Sequence, residues 1–186
     1  IKKMNQVKNL NKRLPYLPIS ILGRIELWLT YRNLKNASSI SLRKPFDLES
    51  STTKRTINWL ADAGIFYQVD GRDSSLLHVS KTQELAKKMS LLQWSNREED
   101  ILFRGIQYGF PEKAVRLFPI NHEKLTAVNS KSSLLADCYW KPYVRYMVRI
   151  GSEKEDSIVA KTWADIILNE VPIVGRWFEA KLTANR

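Results

Sequence analysis

The chain has 186 residues, of which 44% are hydrophobic and 26% charged, a composition typical of soluble globular proteins. This length is enough for one large or two small domains. No apolar run approaches the roughly 20 residues of a membrane span, because the longest candidate, residues 14–34, is interrupted by Pro15, Pro18 and charged side chains. We therefore expect no membrane among the partners.

Cys138 is the single cysteine of the chain, so the fold cannot depend on an internal disulfide. This cysteine usage predicts a reducing compartment, either the cytoplasm or the nucleus. Beside Tyr139 and Trp140, Cys138 is best interpreted as a small buried apolar residue. A nucleophilic role would need a nearby base, and the only histidines are His78 and His122.

The net charge of +11 is unevenly distributed. Residues 1–89 contain 16 Lys or Arg against 7 Asp or Glu, a net charge of +9, whereas residues 90–186 contain 14 against 12, a net charge of +2. A basic half indicates a phosphate-rich or otherwise anionic partner. The positive charge therefore favours nucleic-acid binding by the first half of the chain.

Residues 1–18 form the first predicted segment, a basic N-terminal arm. Residues 1–13 carry five Lys or Arg residues and no acidic residue. Such an arm can follow a nucleic-acid backbone through charge alone, and a disordered end is the alternative interpretation. Pro15 and Pro18 separate the arm from the elements that follow.

Residues 19–93 form the second predicted segment. Hydrophobic periodicity, hydroxyl-rich helix starts and glycine stops predict short elements in a fixed order. They are a helix from Ile19 to about Asn33, a strand over 38–42, a short helix near Phe46–Leu48, a turn over 49–51, a helix from Thr52 to Ala63, and a hairpin of Phe66–Val69 with Leu76–Val79. A further helix is predicted over 81–93.

This order resembles the winged helix-turn-helix superfamily over about residues 19–80. Phe46 and Leu48 carry the resemblance on the second helix, and Ile57, Leu60 and the ending Ala63-Gly64-Ile65 carry it on the third. The hairpin matches the wing. The resemblance implies a third helix that enters a DNA major groove, and it concerns the fold more than any particular function.

Residues 94–186 are predicted to form a mostly helical second domain. Gln93–Asn96 is the best candidate boundary. Apolar spacing predicts helices from about residue 98, over Glu112–Phe118, and from about residue 152 to Pro172, with further candidates at Leu134–Tyr139 and Tyr143–Ile150. The expected fold class is thus mainly α, with an N-terminal winged helix-turn-helix and a helical C-terminal domain.

The helix beginning near Ser51 holds the principal candidate DNA-binding residues. If Ile57, Leu60 and Ala61 face the core, the polar residues of this helix lie on the opposite side or its flank. Arginine can make two hydrogen bonds to guanine, and asparagine two to adenine. Hydroxyl groups at a helix start suit phosphate oxygens. We therefore predict base contacts by Arg55 and Asn58, base or phosphate contacts by Lys54, and phosphate contacts by Ser51 and Thr52.

Arg72, at the tip of the predicted wing, is a further candidate for DNA binding through the minor groove. Asp70 and Asp73 flank it, and carboxylates near phosphates are unfavourable. The alternative interpretation is that this hairpin packs against protein or simply turns the chain.

Lys141, Arg145 and Arg149 recur every four residues and form a predicted secondary basic patch on one helical face. Aromatic residues such as Tyr139, Trp140, Tyr143 and Tyr146 lie among them. Cations interleaved with aromatic rings can bind a nucleic-acid strand, although such rings more often fill a core while the cations face solvent.

A nuclease centre is the main catalytic alternative. Glu179 and Lys181 have the Glu-x-Lys spacing that a large nuclease superfamily uses, and Asp165 or Glu170 is the upstream acid that a metal would need. Asp165, however, lies on a predicted helix. No histidine pair has zinc-ligand spacing and no glycine-rich phosphate loop is present, so we predict no metal and no cofactor.

These patterns favour a DNA-binding protein, either a transcriptional regulator or the DNA-recognition part of a larger nucleic-acid machine. The expected partner is DNA, with protein contacts or self-association through residues 94–186. A winged-helix adaptor that binds an acidic protein is the first alternative, and a metal-dependent nuclease or recombination subunit is the second. Catalysis is therefore not the favoured interpretation.

Overall fold

A small antiparallel sheet and its flanking helices make up the first half of the protein, whose computed structural model describes residues 9–128 and 134–184. Residues 9–13 are helical and continue into a 3-10 turn, Leu14–Tyr16. The elements that follow are α1 (Ile21–Tyr31), β1 (Ala37–Ser41), α2 (Ser51–Asp62), β2 (Phe66–Val69), β3 (Leu76–Ser80) and α3 (Gln83–Leu92).

The predicted hairpin is confirmed. Strands β2 and β3 pair antiparallel from Phe66 opposite Ser80 to Val69 opposite Leu77. Strand β1 pairs with the other edge of β3, so the strand order is β1-β3-β2. Helix, strand, helix and hairpin therefore follow in the predicted order, and this layout is compatible with a winged-helix-like arrangement.

The short helix predicted near Phe46–Leu48 is wrong. The chain there is extended and then turns. The Phe46 amide donates to the Ser74 carbonyl at 2.8 Å, and the Asp47 carboxylate accepts from the Glu49 amide at 2.9 Å. Because the hairpin and a side chain satisfy these backbone groups, and because Leu48 remains 56% exposed, nothing favours a helical turn here.

The second half contains four helices and a two-stranded sheet among the described residues. They are α4 (Glu98–Gln107), α5 (Glu112–Leu117), β4 (Leu125–Ala127), β5 (Met147–Arg149), α6 (Glu153–Glu170) and α7 (Pro172–Ala184). The expectation of a mainly α protein is therefore too simple, because the chain is a mixed α/β fold with small antiparallel sheets.

The helix predicted over Tyr143–Ile150 is wrong as well. Residues 141–143 form a 3-10 turn that contains Pro142, and Met147–Arg149 is strand β5, which pairs antiparallel with β4. Proline cannot supply a backbone donor within a helix, and Val148, which is β-branched, is fully buried in the strand. Residues 134–137, the other helix candidate, form turns.

One hydrophobic core includes residues from both predicted domains. Helix α1 contributes Trp28, whose indole nitrogen donates to the Glu170 carboxylate of α6 at 2.9 Å. Buried Lys35 lies 4.2 Å from the centre of the Trp163 ring and pairs with Glu26 at 2.7 Å. The boundary near residue 93 stays a prediction, and α1 is one of the elements through which the two halves meet.

None of the helices in the described part of the chain combines the length and the hydropathy needed to cross a membrane.

Candidate nucleic-acid interface

Helix α2 presents the predicted DNA-binding residues to solvent. Its buried residues are Thr53, Thr56, Trp59 and Leu60, and the Trp59 indole donates to the Leu10 carbonyl at 3.1 Å. The exposed face carries the five residues predicted for DNA contact, namely Ser51, Thr52, Lys54, Arg55 and Asn58. The predicted core face is partly wrong, since Ile57 is only half-buried, Ala61 is exposed, and two threonines take their places.

Three of these five side chains have polar partners, all of them at exposed positions, and the Thr52 hydroxyl lies 2.7 Å from the Ser50 hydroxyl. Lys54 forms an exposed ion pair with Glu49 at 3.1 Å, an interaction that contributes little to stability. One guanidinium nitrogen of Arg55 donates to the Tyr16 carbonyl at 3.3 Å, which directs Arg55 toward the N-terminal turn. Arg55 thus connects α2 to a neighbouring cavity.

That cavity, of about 700 Å³, is strongly basic. Four cations from separate segments line it, namely Arg24, Arg43, Arg55 and Lys181. Of the described residues that line it, none is Asp or Glu. Two aromatic residues complete the wall, Tyr16 with 61% and Trp177 with 41% of their surface exposed. A basic cavity with exposed aromatic rings suits a nucleic-acid phosphate and an adjacent base.

Arg24 is the most unusual of these cations, since it is only 6% exposed. Its Nε and Nη2 atoms both donate to the Leu17 carbonyl, at 3.2 and 2.8 Å, and its guanidinium lies 5.7 Å from the Trp177 ring centre. Burial, and then the charge of Arg43, lower the pKa of Arg24. Because no ion pair with a carboxylate is seen for Arg24 in the described residues, a bound anion would relieve its electrostatic cost.

Two smaller cavities adjoin the first and extend its positive charge. One, of about 320 Å³, shares Tyr16 and Arg55 with it and adds Lys12, Arg13 and Asn58. The other, of about 290 Å³, shares Lys181 and adds Arg145. We call the combined surface the basic groove, defined by seven cations: Lys12, Arg13, Arg24, Arg43, Arg55, Arg145 and Lys181. Arg13 is partly neutralised by Asp62, 2.5 Å away.

The sequence suggests that Arg72 lies between two exposed carboxylates at the hairpin turn, but only one of them is exposed. Asp70 is buried and accepts from Trp94, from His78 and from the backbone amides of Arg72 and Asp73, at 2.8 to 3.2 Å. Burial alone would raise the pKa of Asp70, but these four donors hold it well below its usual value. Of the two aspartates only Asp73 is exposed beside Arg72, and Arg72 does not line the basic groove.

His78, on strand β3, extends the hydrogen bonds around Asp70 into the sheet. Its Nε2 lies 2.9 Å from Asp70 and its Nδ1 lies 3.0 Å from the Ser39 hydroxyl, which is 2.8 Å from the Tyr108 hydroxyl. Burial lowers the pKa of His78 in spite of the Asp70 charge, so the ring is neutral at pH about 7. We call Asp70, His78, Ser39 and Tyr108 the buried polar cluster, and its partners are all internal.

The helical face predicted for the secondary basic patch is wrong, because Lys141, Arg145 and Arg149 share no helix. Lys141 lies in a 3-10 turn and Arg149 in strand β5. Arg149 is bound by carboxylates, at 2.8 Å to Asp156 and 3.0 Å to Glu155, and these charges raise its pKa. Arg145 lines the basic groove instead.

The structure separates the weak catalytic candidates. Glu170 binds Trp28 and Arg32, Asp165 contacts Tyr139 and lies 3.8 Å from Lys161, and Lys181 lines the basic groove. Glu179 raises the pKa of Tyr143, after the larger effect of burial. Within residues 9–128 and 134–184, no three side chains capable of binding a metal form a cluster. Cys138 is buried, as expected for an apolar residue.

Sequence patterns missed Arg24, Arg43 and Trp177 as parts of a site. Arg24 does leave a signal, since it is the lone cation of a mostly apolar helix. Arg43 lies in the bend after β1, and Trp177 lies far away in the chain on α7. Only the folded chain brings them to one cavity.

No protein-family model, curated protein or solved structure matches this chain. The winged helix-turn-helix resemblance therefore stays a prediction, and a functional assignment depends on the chemistry of the basic groove and of α2.

Proposed function

We propose that this protein binds DNA through the exposed face of α2 and the basic groove beside it. The observation that carries the proposal is the convergence of seven cations from separate parts of the chain, with no Asp or Glu among the described residues that line the groove. Such a concentration of like charge destabilises the folded protein, and a bound anion relieves that repulsion. DNA carries closely spaced phosphates, so it can offer several anions to such a surface at once.

The two surfaces suit different parts of a DNA ligand. Arg55 and Asn58 on α2 have the hydrogen-bonding groups that read guanine and adenine in the major groove. The basic groove would then hold the sugar-phosphate backbone, with Arg24 and Lys181 as phosphate ligands. Arg55 lines the groove and also lies on α2, so it joins the two surfaces.

A role as regulator or as the DNA-recognition part of a larger machine belongs to the same proposal. The alternative, an adaptor that binds an acidic protein, would use the same cations without the base-reading side chains. Asn58 distinguishes the two, because its uncharged amide offers an acidic partner no countercharge but offers adenine two hydrogen bonds.

The test is a binding titration with a fluorescent duplex of random sequence, about 20 base pairs long, at low salt. The double variant Arg43→Ala, Lys181→Ala should weaken binding by about tenfold to a hundredfold, since each lost phosphate contact contributes about 1 kcal/mol. The matched control removes two exposed cations outside the groove, Lys87→Ala with Arg116→Ala. Equal losses in both double variants, or no binding by the wild type, would contradict the proposal.

A further inference from the structure

A second cavity, of about 370 Å³, lies between α4, α5 and the two-stranded sheet and has a different character from the basic groove. Its walls are mainly apolar and aromatic, with Phe110, Val115, Leu125 and Met147 among them. The volume is within the range of about 300–1,000 Å³ that small-molecule sites occupy. None of its lining residues lines the basic groove, so the two sites are separate.

Helix packing gives this cavity a fixed wall. Gly105 of α4 lies so close to α5 that an added Cβ atom would come within 2.6 Å of a Val115 methyl group. The close contact draws α4 and α5 together on one side, while Tyr146, Phe110 and Leu125 form the other side. The aromatic rings of Phe110 and Tyr146 pack against each other on that side, with their centres 5.3 Å apart.

Three polar side chains reach the cavity, namely Gln93, Arg104 and Tyr108. The Tyr108 hydroxyl lies 3.1 Å from the Gln93 amide oxygen, which fixes one end of the polar edge. Arg104 is held by the carbonyl groups of Leu92 and Ser95, to which its Nη1 atom donates. These bonds place a fixed positive charge at the boundary of an apolar space.

Arg104 makes no ion pair or hydrogen bond to a carboxylate within the part of the chain that the structure describes, although its charge is among the causes that lower the pKa of Asp100. Asp100, one turn earlier on α4, instead accepts from Arg97 at 2.8 Å and from Ser95 at 2.5 Å. Because Nη1 alone makes the two carbonyl bonds, the Nε and Nη2 donors of Arg104 remain for a ligand. A carboxylate matches this pair of parallel donors.

We infer that this cavity binds a small apolar carboxylic acid, with its hydrocarbon or aryl part between α4 and α5 and its carboxylate on Arg104. The apolar part gains from leaving water, and the Nε and Nη2 atoms of Arg104 bind the carboxylate. Binding at this site is independent of the DNA proposal, because it uses no residue of the basic groove.

The test is calorimetric titration of the full chain with two acids, 4-phenylbutyrate and octanoate, and with the corresponding neutral amides. At least one acid should bind, and its affinity should be at least about tenfold higher than that of its amide. A charge-assisted hydrogen bond to Arg104 accounts for this difference. No binding by either acid, or equal binding of acid and amide, would overturn the inference.

Variants locate the site. Ile101→Trp should abolish binding by filling the cavity, and Arg104→Gln should remove the preference for acid over amide, whereas Arg104→Lys should keep part of it. Arg116→Gln, on the exposed face of α5, is the control and should bind as the wild type does. Thermal melting of each variant checks that the fold is intact. Binding that survives Ile101→Trp in a folded protein would overturn the location.

Discussion

The basic groove and the buried polar cluster differ in whether their charged side chains have partners within the protein. In the buried polar cluster, Asp70 accepts from four internal donors, and its histidine and hydroxyl neighbours bind one another. In the basic groove, Arg24, Arg43 and Lys181 face one another across a cavity whose described lining includes no carboxylate. Charges that are satisfied internally stabilise the fold, whereas charges left without countercharge are available to a ligand.

The same contrast distinguishes two arginines of the predicted secondary basic patch. Arg149 and Arg145 were expected to act together, but Arg149 is bound by two carboxylates and Arg145 faces the groove. Sequence spacing alone treats the two arginines alike. Their partners in the folded chain distinguish a structural arginine from one that can bind an anion.

Among the substitutions that test this contrast, the replacement of Asp70 should cause the largest loss of stability. Replacement Asp70→Ala leaves the Trp94, His78 and backbone donors unsatisfied in a buried site, so the free energy of unfolding should fall by about 3–5 kcal/mol. Urea denaturation measures the change. The control is Asp73→Ala, an exposed residue of the same turn, with an expected loss of about 1 kcal/mol. Similar losses for both variants would show that the buried cluster does not hold the hairpin.

A smaller effect is expected from pH. Burial lowers the pKa of His78, so below about pH 6.5 the unfolded chain binds a proton that the native protein does not, and stability falls as pH falls. The pKa of Asp70 is also lower in the native protein than in the unfolded chain, so stability falls a second time below about pH 4. Urea midpoints measured from about pH 8 down to about pH 4 should show the first loss, and His78→Gln should remove it. A wild-type midpoint that is constant over this range would contradict a neutral, buried His78.

The smallest effect on stability is expected at Arg24, where the effect on binding is large. Replacement Arg24→Met removes a buried cation that faces Arg43, and it leaves the Leu17 carbonyl without its donors. These opposing changes should keep the free energy of unfolding within about 1 kcal/mol of the wild type, while DNA affinity falls about tenfold. A loss of several kcal/mol would mean that Arg24 is a structural residue of the same kind as Asp70.

The sequence indicated α2 and the hairpin correctly because their signals are local. Apolar spacing, a hydroxyl-rich start and Gly64, which adopts a φ of +62° at the helix end, define the helix and its stop. Alternating residues on either side of a turn define the hairpin. The exposure of Arg55 and Asn58 follows from the same periodicity.

The failures have non-local causes. Residues 46–48 bind the hairpin turn through Phe46, a contact that no local pattern contains. Residues 147–149 have a partner strand at 125–127, and pairing with that strand outweighed the helical spacing. The basic groove joins positions as distant as Arg24 and Lys181, so it could be predicted only as an excess of charge and not as a site.

The salt dependence of DNA affinity tests the central claim most directly. If the groove cations contact phosphates, the logarithm of the association constant should fall with the logarithm of salt concentration with a slope of about −4 to −6, and Arg43→Ala with Lys181→Ala should reduce its size by about 2. Fluorescence anisotropy of a labelled duplex, from about 50 to about 200 mM salt, measures both slopes. A slope near zero, or a slope unchanged by the two substitutions in a folded protein, would contradict the assignment of the basic groove as a DNA-binding surface.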